Sequence, residues 1–179
     1  MIDWKPFEFK GVIYDLTHLH TKPVVYRQAA SGGKPEREYR VEVIFSMHCF
    51  TRGKKDGEKP DNALLYRDSR ECRVFDFRRY QLSKHLPVIV EELHQRKCHH
   101  SGKGNFFIME IVTEEGEKVE YDIFFEVSRA AKKGVMNLYV QSAYVRDAEH
   151  ASNRPKKKPI SFFVILFNTL HNKPIKIPA

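Results

Sequence analysis

The sequence predicts an α+β fold, a single domain over residues 1–179 with a mainly antiparallel sheet of about six strands packed on one or two helices. Three observations carry this. Apolar residues alternate strictly at Tyr39, Val41, Val43, Phe45 and Met47, which marks a half-buried strand. Leu82, Leu86, Ile89, Val90 and Leu93 follow the i, i+4, i+7, i+8, i+11 spacing of one helix face. The Gly- and Pro-containing stretches 29–36, 51–62 and 148–159 each separate two strand-like runs, so they are surface loops within one unit rather than linkers. With 179 residues, 41% of them apolar, the chain has the material for one real core.

Taken in order, an N-terminal strand region at 11–50 contains the strands Gly11–Leu16 and Tyr39–Met47. A helical region at 70–96 follows. Its first part, Arg70–Tyr80, is a separate helical or turn segment. Pro87 lacks an N–H and fits only a first turn, which places the start of the main helix near His85 or Leu86. A strand meander at 105–168 closes the chain, with strands Phe106–Val112, Val119–Val127, Met136–Val145 and Ile160–Phe167. Glu114-Glu115-Gly116-Glu117 and Lys132-Lys133-Gly134 are its hairpin turns.

Thirty-one Lys and Arg against 23 Asp and Glu leave a charge of +8 and a pI near 9.4, which favours an acidic or polyanionic partner. The longest apolar run, Phe162–Phe167, is far short of the roughly 20 residues of a membrane helix, and no apolar signal core follows Met1-Ile2-Asp3-Trp4-Lys5. Cys49, Cys72 and Cys98 are too few and too scattered for a disulfide framework. The expected location is a reducing cytoplasm, without a membrane partner. Phosphate-binding Gly-x-x-x-x-Gly-Lys-Ser/Thr loops, Gly-x-Gly-x-x-Gly turns and Gly-x-Ser-x-Gly elbows are absent from the sequence. Nucleotide hydrolysis, dinucleotide redox chemistry and ordinary ester hydrolysis therefore lack sequence support.

Several residues have the chemistry for a site. Alternation puts His18 and His20 on one side of an extended chain, where two imidazoles bind a metal, share proton transfers, or simply satisfy structural hydrogen bonds. His48 sits at a strand end with a side chain that exchanges protons near neutral pH; a bond to a loop carbonyl is the plainer reading. Zinc is weighed because His18, His20, His48, the three cysteines, His99 and His100 supply ligand types. No paired Cys-x-x-Cys spacing supports it, and the expectation is a protein without metal or cofactor. Arg78, Arg79, Ser83 and Lys84 cluster at the expected helix start, which suits either a phosphate or a solvated basic face with Ser83 as N-cap. On the strand Met136–Val145 the apolar face of Met136, Leu138 and Val140 continues as Ser142 and Tyr144, with Arg146 just beyond. These hydroxyls and cation suit a phosphate, or else satisfy buried backbone groups.

A basic, His-bearing helix followed by a meander that ends in Gln141-Ser142-Ala143-Tyr144 resembles the barnase, EndoU, colicin and RelE-type ribonuclease toxin superfamily, over about residues 70–146. The strand Ile160–Phe167 after the triplet and the first seventy residues depart from that pattern. The resemblance implies a metal-independent ribonuclease, a toxin or defence effector, with Ser142 and Tyr144 lining the site. It leaves the His and Lys roles among His20, His48, Lys84 and His85. RNA supplies its own 2′-hydroxyl nucleophile, so the enzyme needs a base, an acid and cations. The expected catalytic set is His20, His48, Lys84, Ser142 and Tyr144; Arg78, Arg79, Ser83, Arg146, Lys156, Lys157 and Lys158 are the expected phosphate contacts. RNA or another nucleic acid is the expected partner, with an acidic inhibitor or antitoxin protein beside it. Two other classes stay open. One is a non-catalytic nucleic-acid binder using Arg52, Lys54, Lys55 and Arg154 to Lys158; the other is a protein-interaction domain whose charges serve solubility.

Overall fold

A computed structural model describes residues 1–147 and 155–179. The chain opens with a hairpin, β1 (Phe7–Phe9) and β2 (Val12–Tyr14), joined through Lys10 and Gly11, both at positive φ as the tight turn demands. β3 (Lys22–Gln28) and β4 (Arg37–Phe45) form a second hairpin. A 3-10 turn at Met47–Cys49 leads into β5 (Thr51–Arg52), β6 (Leu65–Arg67) and β7 (Cys72–Phe75), which make a small sheet in the order β5-β7-β6. Two short helices follow, α1 (Phe77–Ser83) and α2 (Leu86–Glu91). Then come β8 (Cys98–His100), β9 (Phe106–Glu114), β10 (Glu117–Arg129), β11 (Val135–Val145), β12 (Pro159–Ile160) and α3 (Phe162–Leu170).

The main sheet has seven strands in the order β12-β8-β9-β10-β11-β4-β3, curled as a half-barrel. It is mixed, because β4 and β11 pair in parallel from Val135↔Arg40 to Val140↔Phe45 while its other described pairings are antiparallel. The α+β class is thus found, and the expectation of about six mainly antiparallel strands is corrected. Alternation along β4 works as read: Tyr39, Val41, Val43 and Phe45 are all buried. The meander's antiparallel steps β9-β10-β11 are also present.

Three local expectations change. Ile160–Phe167 is mostly helix, since Phe162, Ile165 and Leu166, spaced i, i+3, i+4, point into the core. A continuous apolar run carries no period, and this one packs as a helix on β10 and β11, with Phe162 edge-on to Tyr26 at 4.9 Å. Arg70–Tyr80 divides into β7 and most of α1, because Asp76 caps the helix by accepting from the Arg79 N–H at 2.9 Å. The main helix is also shorter than its apolar spacing implies: Leu82 belongs to α1, and Pro87 sits in the first turn of α2.

A bulge in β11 has the largest consequence. Phe125 pairs with Val140 but Phe124 with Ser142, so Gln141 is an extra residue. Met136, Leu138 and Val140 face the core before it; Ala143 and Val145 do so after it. Ser142 and Tyr144 consequently lie on the opposite sheet face, which corrects the expectation that they continue the apolar one.

Leu138 is fully buried between β10 and β4, whereas Ile111 is 64% exposed. Leu138→Ala is expected to lower the urea midpoint by the equivalent of about 2–5 kcal/mol at unchanged m value. Ile111→Ala should stay within about 0.5 kcal/mol of wild type.

Candidate functional site

The short segment His48–Thr51, between β4 and β5, gathers charged groups from three elements. The 3-10 turn buries Met47 and Cys49 and leaves His48 half-buried between them. Ser46 fixes the turn: its Oγ accepts from the His48 N–H at 3.1 Å and donates to the Gln141 carbonyl at 2.6 Å. Arg79, on α1, donates to the carbonyls of His48 at 3.1 Å and Thr51 at 2.9 Å. Arg73, on β7, donates to Thr51 Oγ1 at 2.9 Å. Two guanidinium groups are therefore braced on one residue.

Glu71 completes the cluster. Its two carboxylate oxygens lie 3.0 and 3.2 Å from His48 Nε2, and Arg73 stands 3.8 Å from the second. A carboxylate at Nε2 keeps the proton on that nitrogen and leaves the Nδ1 lone pair available. Burial and the Arg73 charge push the His48 pKa below its ordinary value, against the upward pull of Glu71. That direction favours the neutral imidazole.

Arg79 differs from its neighbours. Arg78 is spanned by Glu114 at 2.7 and 2.8 Å and by Asp147 at 3.0 Å; Arg52 is paired with Glu58, and Arg146 with the fully buried Asp122. Arg79 has backbone carbonyls as its side-chain hydrogen-bond partners and no carboxylate within ion-pair distance among the described residues. Its charge remains uncompensated by direct contact, and burial lowers its pKa from the usual arginine range. The Tyr144 ring lies beneath it, 5.4 Å from the guanidinium carbon, and stacks on Phe124 at 5.8 Å. Both residues line a cleft of about 430 Å³ with Arg52, Lys55, Asp76 and Asp147. A second cleft, of about 730 Å³ beside Trp4 and Tyr66, is likewise lined by charges of both signs, among them Asp3 and Asp68 with Arg67 and Arg70.

The sequence candidates thus divide. His48, Arg79 and Tyr144 are linked through Arg79. His20 takes its contacts elsewhere, with Nε2 3.1 Å from the Trp4 carbonyl and Asp3 close by. His18 Nε2 is 2.8 Å from Ser83 Oγ, which itself donates to the Tyr80 carbonyl, so His18 is the donor of that pair. Ser83 is fully buried at the end of α1, and the N-cap position of the following helix α2 is His85, which makes no side-chain cap bond, so the cap role expected of Ser83 is not found. Lys84 is exposed and bonds Gln81; Ser142 is half-buried opposite Phe124. Lys156 and Lys157 are exposed, and the Lys158 carbonyl accepts from His100 beside β12. Arg154 lies outside the described residues. Two thiols, Cys49 and Cys98, are buried and pushed up to about 12 by desolvation. No group of three or more His, Cys, Asp or Glu among the described residues is placed to hold a metal. Glu71 and Arg73 were missed; they sit in a run of mixed charges, Arg70-Glu71-Cys72-Arg73, where only the fold shows which side chain faces His48.

Comparison with known proteins gives a family. A model of the YjaZ family matches residues 6–170. Protein YjaZ of Escherichia coli (strain K12) is 35% identical over 182 residues, covering 98% of this chain and 96% of that protein. No solved structure matches the chain. These matches overturn the expected resemblance to the ribonuclease toxin superfamily, which rested on one tripeptide and element order. The toxin role and the acidic antitoxin came with that resemblance and lose its support. Among the described residues no helix is long and apolar enough to cross a membrane.

The causes of the His48 shift give a titration test. Glu71→Gln removes the upward influence, so the His48 midpoint read by NMR should fall further below the ordinary value; Arg73→Met should raise it. An unmoved midpoint in Glu71→Gln would mean that the His48–Glu71 contact is not kept in solution.

Proposed function

We propose that this chain, which belongs to the YjaZ family, binds single-stranded nucleic acid, with a phosphate seated on Arg79 and a base stacked on Tyr144. The observation that carries this reading is the guanidinium of Arg79. It is held rigidly by two carbonyls that fix its direction without cancelling its charge, and it faces a cleft. A planar fork so placed suits a phosphate, which would pair with the guanidinium directly, as the nearby Asp76 does not. Asp76 and Asp147 share that cleft and limit how many phosphates it accepts, so the reading is of one seated phosphate rather than a polyphosphate.

Tyr144 adds the second half of a nucleotide's chemistry. Its ring has the guanidinium groups of Arg79 and Arg146 at 5.4 and 5.7 Å from its centre and Phe124 stacked at 5.8 Å, so a base would join this aromatic and cationic cluster, displacing part of it. A duplex hides its bases in the stack, which makes a single strand the better fit. The +8 charge supplies long-range attraction, with Lys54, Lys156 and Lys157 exposed on loops to meet further phosphates.

Fluorescence anisotropy with a labelled single-stranded oligonucleotide tests the reading. Arg79→Met should weaken binding and reduce the salt slope by about 1, and Tyr144→Leu should cost about 1–3 kcal/mol. Arg79→Lys keeps the charge and should recover part of the affinity, separating phosphate contact from any effect on folding. Wild-type affinity in both Arg79→Met and Tyr144→Leu would rule the cleft out.

A further inference from the structure

We propose that the strand seated on Arg79 extends to a second phosphate-binding patch at the opposite end of β11, made by the turn between β10 and β11 and the end of α3. The second patch presupposes the binding reading above and gives its ligand a minimum length.

Charge without counter-charge marks the patch. Arg129, Lys132, Lys133 and His171 line a cleft of about 780 Å³ that has no carboxylate among its lining residues. All four are exposed, and none has an ion pair among the described residues. The clefts beside Arg79 and Trp4, by contrast, both hold aspartates. Next to His171 the half-buried Phe167 ring collects further cations: Arg37 lies 4.5 Å and Lys173 5.1 Å from its centre, and the His171 ring 4.2 Å. An aromatic face holds a cation in place without neutralising it, as the two carbonyls do for Arg79. His171 is fixed in addition by donating from Nδ1 to the Phe167 carbonyl at 2.8 Å. Glu38, on the strand that carries Arg37, is taken up by Arg27 and Arg40 at 3.5 and 3.6 Å.

These cations carry more charge than one phosphate offsets, whereas a phosphodiester chain brings a charge at every nucleotide. An anionic membrane is a poorer match. The cations line a recess, and its larger apolar residues, Val135 and Leu170, are half-buried instead of projecting as anchors. β11 joins the patch to the Arg79 cleft: Val135 and Tyr144 are separated by about 30 Å at roughly 3.3 Å per residue. The outward side chains between them, Asn137, Tyr139 and Ser142, are uncharged and half-buried. Glu42 and Glu126 stand opposite Asn137 and Tyr139 on the neighbouring strands, which confines a polyanion to the line of β11.

Fluorescence anisotropy on the full chain with two single strands, a trinucleotide and one of about 20 nucleotides, tests the patch. The variant is Arg129→Gln/Lys132→Gln/Lys133→Gln, which changes exposed side chains only. Wild type should bind the long strand at least about 100-fold more tightly than the trinucleotide, the scale of a second tethered contact. The triple variant should lose at least about 10-fold in long-strand affinity and about 2 units of salt slope, yet bind the trinucleotide within about twofold of wild type. Wild-type affinity and slope for the long strand in the triple variant overturn the patch, and the cleft reading then stands if Arg79→Met still weakens binding. Affinity kept in Arg79→Met and lost in the triple variant overturns the cleft and with it the shared strand; absence of binding by wild type overturns both. Phosphatidylglycerol vesicles bound by wild type but not by a triple variant of unchanged long-strand affinity assign the patch to lipid headgroups and overturn the proposal.

Discussion

The parallel pairing of β4 with β11 is the constraint on which the molecule depends. Parallel neighbours need a long crossover, and here that crossover contains the small sheet, both short helices and the first strands of the meander. The pairing stops at Val140↔Phe45, but its direction persists for one more residue: the Ser46 N–H bonds the Val140 carbonyl, and Ser46 Oγ bonds that of Gln141. The chain then turns away. Beyond that point β11 has lost β4 as a neighbour, and the His48–Thr51 turn and α1 approach the space that β4 leaves. The cleft exists because one strand is longer than its partner.

Arg79 fills part of that space, and its bonding explains why a cation belongs there. Taking a guanidinium out of water is costly unless its N–H groups are satisfied. Carbonyls of His48 and Thr51 satisfy them, each charge-assisted bond worth about 1.5–3 kcal/mol. They also tie α1 to the segment leaving β4, so the residue joins two parts of the fold. A carboxylate in the same position would do this as well, but it would cancel the charge, as Asp122 does for Arg146 two residues past Tyr144. Structure alone is served by either solution; attraction of an anion is served only by the first.

How much of this was legible in the sequence depended on whether a pattern was periodic. β4 was, because its fully buried residues recur at every second position from Tyr39 to Phe45, with exposed or half-buried ones between them. The apolar run Phe162–Phe167 was not, and its packing on β10 and β11 decided for a helix. Arg79 was legible as a cation near a helix start, though its partners were not, since residues 48 and 51 lie on another element. Glu71 and Arg73 gave no signal at all. They gain their meaning from β7 lying against β5, a contact between chain segments about twenty residues apart.

The bulge at Gln141 shows why the triplet Ser142-Ala143-Tyr144 misled in a particular way. A strand without it would keep Tyr144 in phase with Val140, facing the core. One inserted residue inverts the phase, so Ala143 and Val145 enter the core and Tyr144 turns to the other face, onto Phe124. The small side chain of Ala143 and the branched one of Val145 are what that inverted register needs, opposite Ile123 and Tyr121. Read this way, the triplet is an alternation of outward hydroxyls around an inward methyl, required by the bulge. Tyr144 owes its place under Arg79 to that bulge: pairing Gln141 regularly with β10 would turn the ring to the core side, whereas deleting Gln141 would straighten the strand and leave Tyr144 on its present face, opposite Asp122.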